Sequence, residues 1–251
     1  MDTALITVDA LTDEEVVVEK VAKLDLLAIP VVDAERHIVG IITHDDIIDV
    51  VREGAHDDAL RSAAVEPLEG TYMNTPVMLL SWKRGMWLLI LFICALLTAM
   101  ALQQYEEKLD RWAWLVPFIP LIISSGGNSG SQSATLVITA LSHGHVKLNE
   151  WLTVLIREIL MGLVLGTALA IIGLVTTLIL FPTVPDWYSA LIVPITLVAV
   201  VISGTATGSM LPLVFKRIGW DPALMSNPFV AGIIDILGIV IYMTVAAAFL
   251  K

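Results

Sequence analysis

Residues 221–250 read DPALMSNPFVAGIIDILGIVIYMTVAAAFL, and this stretch decides the fold of the chain. From Pro228 to Leu250 the residues are apolar or small, with Asp235, Tyr242 and a few weakly polar positions as the exceptions. About 20 consecutive apolar residues suffice for a helix to cross a bilayer. The stretch therefore predicts a membrane-spanning helix.

Asp235 falls near the middle of this predicted helix, close to the bilayer midplane. A charge there costs at least about 2.5–3.5 kcal/mol on insertion scales, so such acids usually face a partner or a cavity and mark an ion or proton path. Gly232 and Gly238 lie three positions to either side, on the same helix face, and leave room beside the carboxylate. No Lys, Arg or His lies at a matching depth, which favours a mobile cation as its partner. The alternative is an aspartate that hydrogen-bonds to a neighbouring helix for packing alone.

The composition is that of a membrane protein with an acidic head. Of 251 residues, 57% are hydrophobic and 16% are charged. Residues 1–80 hold 17 acids and five bases, whereas residues 81–251 hold eight acids and nine bases. This division argues against nucleic acid and favours cations as partners of the head, with a solvated acidic surface as the alternative. The first residues, MDTALITVD, lack a basic or apolar signal region, so we predict no cleavable signal peptide and a cytoplasmic head.

Residues 3–53 carry a β-α-β-β-α pattern. The strand-like runs are TALITV (3–8), AIPVVD (28–33) and HIVGIIT (37–43). The run TDEEVVVEKVAKLD (12–25) predicts a helix with Thr12 as its N-cap and Glu15 completing a capping box. A second helix is predicted to begin at Thr43 or His44.

This head resembles a CBS motif, through IPVVD (29–33), VGIIT (39–43) and the following Asp46. The resemblance implies pairing of two motifs, sheet on sheet. Only one motif is present, so we expect either a preceding motif or a second subunit to complete the pair. It also implies contact of Thr43 and Asp46 with the ribose of an adenine nucleotide such as ATP.

The second helix of the head is strongly acidic. Its sequence DDIIDVVREGAHDD (45–58) places Asp45 or Asp46 on one helical face with Asp49 and Glu53. Like charges at this spacing destabilise a helix by roughly a few tenths of a kcal/mol each. A divalent cation held between subunits would remove that penalty, which predicts a regulatory metal site; the alternative is a solvated face. Residues 54–81 then predict a polar helix and an amphipathic connector that transmits head movement.

Five apolar segments predict an α-helical polytopic membrane protein below a small cytosolic α/β head of CBS type. We divide the chain into a partial CBS domain (1–53), a connecting region (54–81) and a transmembrane pore domain (82–251). Basic residues are more frequent on the side of the head, so we place the N-terminus in the cytoplasm. The segments are Trp82–Gln104, Trp112–Leu141, Trp151–Phe181, Tyr188–Phe215 and Pro222–Leu250.

Three of these segments contain polar residues that interrupt them. The second contains GGNSG (126–130), which predicts a helix break whose freed carbonyls, with the Asn128 amide, receive the hydration shell of an ion; the alternative is a glycine patch for close packing. The fourth contains ISGTATGSMLP (202–212), whose proline predicts a further weak point. In the third, Glu158 follows Arg157 and either guards a cavity mouth or forms a local ion pair.

The runs PLIISSGGNSGSQSATL (120–136) and DPALMSNPFVAGIIDILG (221–238) closely resemble the MgtE family of magnesium channels. The resemblance implies a homodimer in the bacterial cytoplasmic membrane, with the ion path on its two-fold axis. It further implies that Asp235 of each subunit holds a largely hydrated Mg²⁺, and that Mg²⁺ bound to the acidic head closes the pore. The other implied pore residues are Asn128, Gly126 and Gly127 at the site, and Glu158, Asp221 and Asn227 near the cytoplasmic mouth.

Other function classes fit less well. Gly127 to Gly130 matches the G-x-S-G of intramembrane serine proteases, but that serine needs a base, and all five histidines fall in the head or in a loop. We therefore predict that the chain is not an enzyme. A proton-coupled transporter of divalent cations is the main alternative, since Asp235 can carry a proton. A nucleotide-sensing membrane anchor would leave Asp235 unexplained.

Overall fold

The computed structural model describes residues 6–68, 70–180, 184, 186–222 and 227–250. The chain divides into two compact units, residues 1–59 and 60–251. We describe each unit by itself.

The first unit is a three-stranded sheet with helices before and after its last two strands. The strands are β1 (Val8–Asp9), β2 (Ala28–Val32) and β3 (Ile38–Thr43), and the helices are α1 (Glu14–Leu24) and α2 (His44–Ser62). β1 is parallel to β2, and β3 is antiparallel to β2 with Ile29 opposite Ile42. The predicted β-α-β-β-α order is confirmed; residues 3–5 of the predicted first strand lie outside the described part of the chain.

Two details of the head differ from the prediction. The N-cap of α1 is Asp13 and not Thr12, because the Asp13 carboxylate accepts the backbone N–H of Glu15 at 2.9 Å while the Thr12 N–H is already bonded to Asp9. Helix α2 begins at His44 as predicted but continues to Ser62, so the polar residues after Glu53 extend it and do not start a new helix. The core of the unit is formed by Val8, Val17, Val21, Ile29 and Ile47.

The described residues of the second unit form five long helices. These are α3 (Val77–Gln103), α5 (Ile119–Ser142), α6 (Trp151–Leu180), α8 (Ile192–Arg217) and α9 (Asn227–Phe249). Two short helices, α4 (Glu106–Arg111) and α7 (Trp187–Ala190), and two 3₁₀ turns, Ala113–Phe118 and Leu148–Glu150, lie between them.

Among the described residues, four long helices are apolar and long enough to cross a membrane: α3, α6, α8 and α9. The span of α6 includes the 3₁₀ turn before it, and the span of α8 includes α7. The predicted class, a helical multi-span membrane protein with a small α/β head, is confirmed. Of the five predicted spans, four are identified as such. The remaining one corresponds to α5, which has 24 residues but is too rich in serine, glycine and amide side chains to be identified by composition. Phe181 and residues 223–226 of the predicted spans lie outside the described residues.

Helix α8 lies at the centre of this unit, packed against α5, α6 and α9, while α3 packs on α9. The largest core cluster joins the start of α5 to α8 and α9 around the fully buried Tyr242, whose hydroxyl donates a hydrogen bond to the Leu115 carbonyl at 3.0 Å. Burial of this aromatic ring fixes one end of the α5–α9 pair.

The predicted break at GGNSG is wrong, because α5 runs without interruption from Ile119 to Ser142. Its glycines allow close approach instead. A Cβ atom placed on Gly130 would lie 3.0 Å from the carbonyl oxygen of Gly204, and one placed on Gly208 would lie 2.1 Å from the carbonyl oxygen of Gly130. Pairs of small residues four positions apart let two helix backbones meet in this way. Helix α8 also continues through Pro212 to its end at Arg217, and the weakening by this proline stays a prediction.

Candidate functional site

Asp235 lies nine residues into α9, against the glycine run of α5. A Cβ atom placed on Gly127 would lie 3.6 Å from Oδ1 of Asp235 and 3.4 Å from Cβ of Ala231. The Asp235 side chain is half-buried. Among the described residues, none forms a hydrogen bond or an ion pair with its carboxylate. The structure therefore brings together the two segments that the sequence singled out, and leaves this carboxylate without a partner from its own chain.

A stripe of polar side chains runs along α5 beside this carboxylate. Positions three or four apart share one face of a helix, and on this face the side chains are exposed although the helix lies among apolar spans. We call it the polar stripe; its members are Ser124, Asn128, Gln132, Thr135 and Thr139.

Hydrogen bonds hold the polar stripe in place and link it to the start of α9. The Asn128 amide donates to Oγ of Ser124 at 3.2 Å, within α5. The hydroxyl of Thr135 donates to Oδ1 of Asn227 at 3.0 Å, and the hydroxyl of Ser131 donates to the Asn227 carbonyl at 3.0 Å. Asn227 and Asp235 are eight residues apart, about 12 Å along α9. The polar groups thus form a path about two turns long that ends at the unpaired carboxylate.

Gly126 faces away from this path. A Cβ atom placed on it would lie 2.4 Å from Cγ1 of Val200 and 2.9 Å from Cγ2 of Ile234, and its carbonyl oxygen lies against Gly204 of α8. Gly127 is the glycine beside Asp235. The flanking glycines of α9 serve packing, since Gly232 faces Cβ of Cys94 and Gly238 faces Val200.

Glu158 of α6 packs against another face of α5, and it also contacts α8. Its side chain is 5% exposed, and Oε2 accepts a hydrogen bond of 2.5 Å from the Ser133 hydroxyl. The Thr205 hydroxyl donates to the Glu158 backbone carbonyl at 2.9 Å. Within the described chain no basic group pairs with this carboxylate, so the predicted local ion pair with Arg157 is not formed. Its place at a pore mouth stays a prediction.

Asp221 lies just before α9 and is paired with Arg61, whose guanidinium donates a short hydrogen bond to Oδ2 of the aspartate. Both side chains are about one third exposed. Both residues belong to the second unit, where they are 160 positions apart in a contact that no sequence pattern indicated. The role of Asp221 near a pore mouth also stays a prediction.

In the head, the predicted regulatory residues make local contacts. The Thr43 N–H and hydroxyl donate to Oδ2 of Asp46 at 2.8 and 2.7 Å, and the same hydroxyl makes a short hydrogen bond with Asp45. The backbone bond from Thr43, followed by its hydroxyl, lowers the pKa of Asp46 below the ordinary aspartate value. Asp49 and Glu53 are exposed further along α2. Thr43 and Asp46, predicted to contact a nucleotide, thus serve as partners of each other.

Within the described residues of a single chain, no group of three or more acids, histidines or cysteines is placed to hold a metal ion. The membrane unit instead offers one carboxylate, one amide and several hydroxyl groups along a shared face. Such donors suit a hard cation that keeps most of its water shell, because Mg²⁺ loses water reluctantly.

Sequence reasoning singled out Asp235, Gly127, Asn128 and Asn227, which the structure places near one another, but it did not single out most of the polar stripe. The hydroxyl and amide residues of α5 recur at helical spacing, which is a signal that could have found them. The expected helix break concealed that spacing, because a break would have ended the face.

Comparison with known proteins identifies both units. Residues 119–245 match the family model MgtE, described as a divalent cation transporter. The chain belongs to the MgtE family. Residues 1–53 match the model of the CBS domain, so both predicted resemblances are confirmed. The family description is that of a transporter, in agreement with the prediction that the chain is not an enzyme.

Three curated relatives match the whole chain, and each is named magnesium transporter MgtE. That of Thermus thermophilus is 35% identical over 253 residues, and this chain covers 55% of its length. The relative from Bacillus subtilis is 30% identical over 254 residues and that from Enterococcus faecalis 29% over 251 residues, each covered to 54%. The chain thus spans about half the length of the curated relatives it matches.

Proposed function

We propose that this chain forms the ion-conducting part of a Mg²⁺ transporter in which Asp235 is the central ion-binding group. The observation that carries the proposal is the unpaired carboxylate of Asp235 against Gly127, at the end of the polar stripe. An unpaired charge within an apolar span is costly, and a passing cation offsets that cost. The names of the three relatives support Mg²⁺ as the transported ion.

Two copies of the chain complete the path in this proposal. The polar stripe of one chain is exposed, and polar side chains exposed to lipid have no water to hydrogen-bond. A second chain related by a two-fold axis would cover the stripe with an identical one and would bring a second Asp235 to the same site. Two carboxylates with amide and hydroxyl groups would bind the water shell of Mg²⁺ weakly enough for release, which conduction requires.

The orientation and the ends of the path follow from the same arrangement. With the head in the cytoplasm of a bacterial cell, α9 begins on the inner side, so Asn227 and Asp221 mark the cytoplasmic end of the path and Asp235 lies deeper. Asn128 and the backbone at Gly127 flank the ion. Gly126 of α5 and Glu158 of α6 face away from the path: Gly126 packs against Val200 and Ile234, and Glu158 contacts Ser133 and Thr205.

We further propose that Mg²⁺ regulates the pore through the acidic face of α2. Asp45, Asp46, Asp49 and Glu53 are exposed and repel one another. Cytosolic Mg²⁺ held between the heads of two copies would relieve this repulsion and favour closure. An adenine nucleotide at Thr43 and Asp46 would have to replace their mutual hydrogen bonds.

Flux measurements on the full chain in liposomes test the ion site. Asp235→Asn and Asp235→Ala should abolish Mg²⁺ flux while the unfolding temperature stays within a few degrees of the wild type. Glu106→Gln is the matched control, because it removes one exposed negative charge from α4 and should leave flux unchanged. Flux that persists in both Asp235 variants would refute the ion site.

A proton gradient distinguishes a channel from the proton-coupled alternative. At a fixed Mg²⁺ gradient and clamped voltage, flux through a channel should not follow an imposed pH gradient, whereas coupled transport should.

The regulatory proposal has its own test: replacing Asp45, Asp46 and Asp49 by Asn together with Glu53→Gln should keep the pore open at high internal Mg²⁺. Unaltered inhibition would remove α2 as the sensor.

A further inference from the structure

Arg157 is a cation on the outer face of α6. It lies six residues, about 9 Å, beyond Trp151 at the start of the helix. Its side chain is exposed, as are those of Ile156 and Leu160 beside it. Among the described residues, none forms a hydrogen bond or an ion pair with the guanidinium. This charge therefore belongs neither to the proposed ion path nor to the packing of the helices.

An apolar groove surrounds Arg157 on the same face. The groove is shallow and open, with a volume of about 560 Å³, and the residues that line it share one face of α6: Thr153, Ile156, Arg157, Leu160, Met161, Val164 and Leu165. Apart from Arg157 and the hydroxyl of Thr153, the lining is apolar. A flexible hydrocarbon chain fits such a surface.

We propose that this face binds a phospholipid with an anionic headgroup, with its phosphate on Arg157 and an acyl chain along the groove. Helical side chains point toward the N-terminus of their helix, so the guanidinium reaches back from its depth toward the interface at Trp151. A guanidinium donates two parallel hydrogen bonds to a phosphate. Arginine stays charged at every physiological pH, so within a span it requires an anion.

Charge decides between a lipid and a second copy of the chain. A two-fold contact through this face would bury the same patch of both chains, so it would place two Arg157 guanidiniums in one interface. The groove contains no acid to neutralise the pair. A lipid phosphate supplies the missing negative charge, whereas a zwitterionic lipid brings its own compensating cation.

Native mass spectrometry of the full chain in detergent tests this inference. The chain is titrated with phosphatidylglycerol or with phosphatidylcholine of the same acyl chains. We expect the wild type to bind one phosphatidylglycerol in preference to phosphatidylcholine, and Arg157→Gln to weaken that binding about fivefold, the effect of about 1 kcal/mol per basic residue at an anionic lipid surface. Arg157→Lys should keep most of the preference, because it keeps the charge.

Arg217→Gln is the matched control, since Arg217 is an exposed cation at the end of α8 and is not among the residues that line the groove. It should leave phosphatidylglycerol binding unchanged, and millimolar inorganic phosphate should not displace the lipid. Equal weakening by both Gln variants, displacement by phosphate alone, or a change of oligomeric state in lipid-free Arg157→Gln would each overturn the proposal. So would phosphatidylglycerol binding to Arg157→Gln as tight as to the wild type.

Discussion

Two acids lie inside the long apolar helices, and their surroundings differ. Glu158 of α6 is 5% exposed and accepts a hydrogen bond from Ser133 on the packed side of α5. Asp235 of α9 is half-buried, and its carboxylate has no hydrogen-bond or ion-pair partner among the described residues. It lies beside the polar stripe, which is on a different side of α5 from Ser133. Helix α5 thus lies between the Glu158 carboxylate, which is hydrogen-bonded, and the Asp235 carboxylate, which is not.

The difference teaches that the role of an acid in a membrane span is decided by the groups that surround its carboxylate. A buried carboxylate with a donor in reach adds to the contact between helices. A carboxylate flanked by a glycine and by exposed polar groups has space for an ion and its water. The two sides of α5 therefore make separate predictions, which we order from the largest expected effect to the smallest.

Replacing Gly208 by alanine should disrupt the packed side most strongly. The new Cβ would lie 2.1 Å from the Gly130 carbonyl oxygen, and backbone cannot move aside cheaply. Overpacking of this kind costs about 1–3 kcal/mol. Thermal unfolding in detergent measures it, with Gly238→Ala as the control, because the Cβ there would lie 3.7 Å from Val200. Equal melting temperatures for the two variants would contradict the close helix crossing.

Replacing Asn128 by leucine should affect the polar stripe and spare the fold. The side chain is exposed in one chain, so the unfolding temperature should change little. Mg²⁺ flux should fall about tenfold, the effect of losing one hydrogen bond of about 1.4 kcal/mol to the water shell of the ion. Leu136→Ala, an exposed apolar change on the same helix, should keep wild-type flux. A stability loss without a flux loss would reverse the assignment of the two sides.

Replacing Ser133 by alanine should weaken the contact of Glu158 without altering the ion path. Hydrogen bonds between helices in a membrane average about 0.6 kcal/mol and reach about 1.7 kcal/mol, so a modest loss of stability is expected with flux retained. Ser129→Ala is matched to it, since that buried hydroxyl bonds only within α5, to the Ser125 carbonyl. A larger effect of the Ser129 change on stability would argue against the interhelical bond.

The head contains a third carboxylate for comparison, that of Asp46, whose hydrogen-bond donor Thr43 is three residues away in the sequence. Because the bonds from Thr43 lower the pKa of Asp46 in the folded head, its contribution to stability is complete above the ordinary aspartate pKa and is lost as the pH falls through the lowered pKa. Amide hydrogen exchange of Thr43, corrected for its intrinsic pH dependence, should accelerate over that acidic range. Asp46→Ala should show fast exchange at neutral pH, whereas Asp49→Ala should not. A pH-independent corrected rate would exclude the carboxylate as the acceptor.

Much of the architecture was readable from local patterns. The alternation of the head strands and the long apolar runs predicted the elements, because strand and helix periods and span length are properties of short segments. The errors came where local propensity was trusted over packing. Glycines and Pro212 weaken an isolated helix, yet α5 and α8 continue through them. Close contact between the two backbones stabilises the helices in the folded protein.

The sequence by itself determined that the chain is a membrane protein with an acidic CBS-type head, and that Asp235 is an acid out of place in an apolar span. Only the tertiary structure decided which acid is free. Glu158 and Asp235 both stand out in the sequence as acids within apolar segments, but the Ser133 hydroxyl that Glu158 contacts is 25 residues away along the chain, and Gly127 beside Asp235 is farther still. Contacts across such separations depend on how helices cross, and that depends on the shape of whole faces.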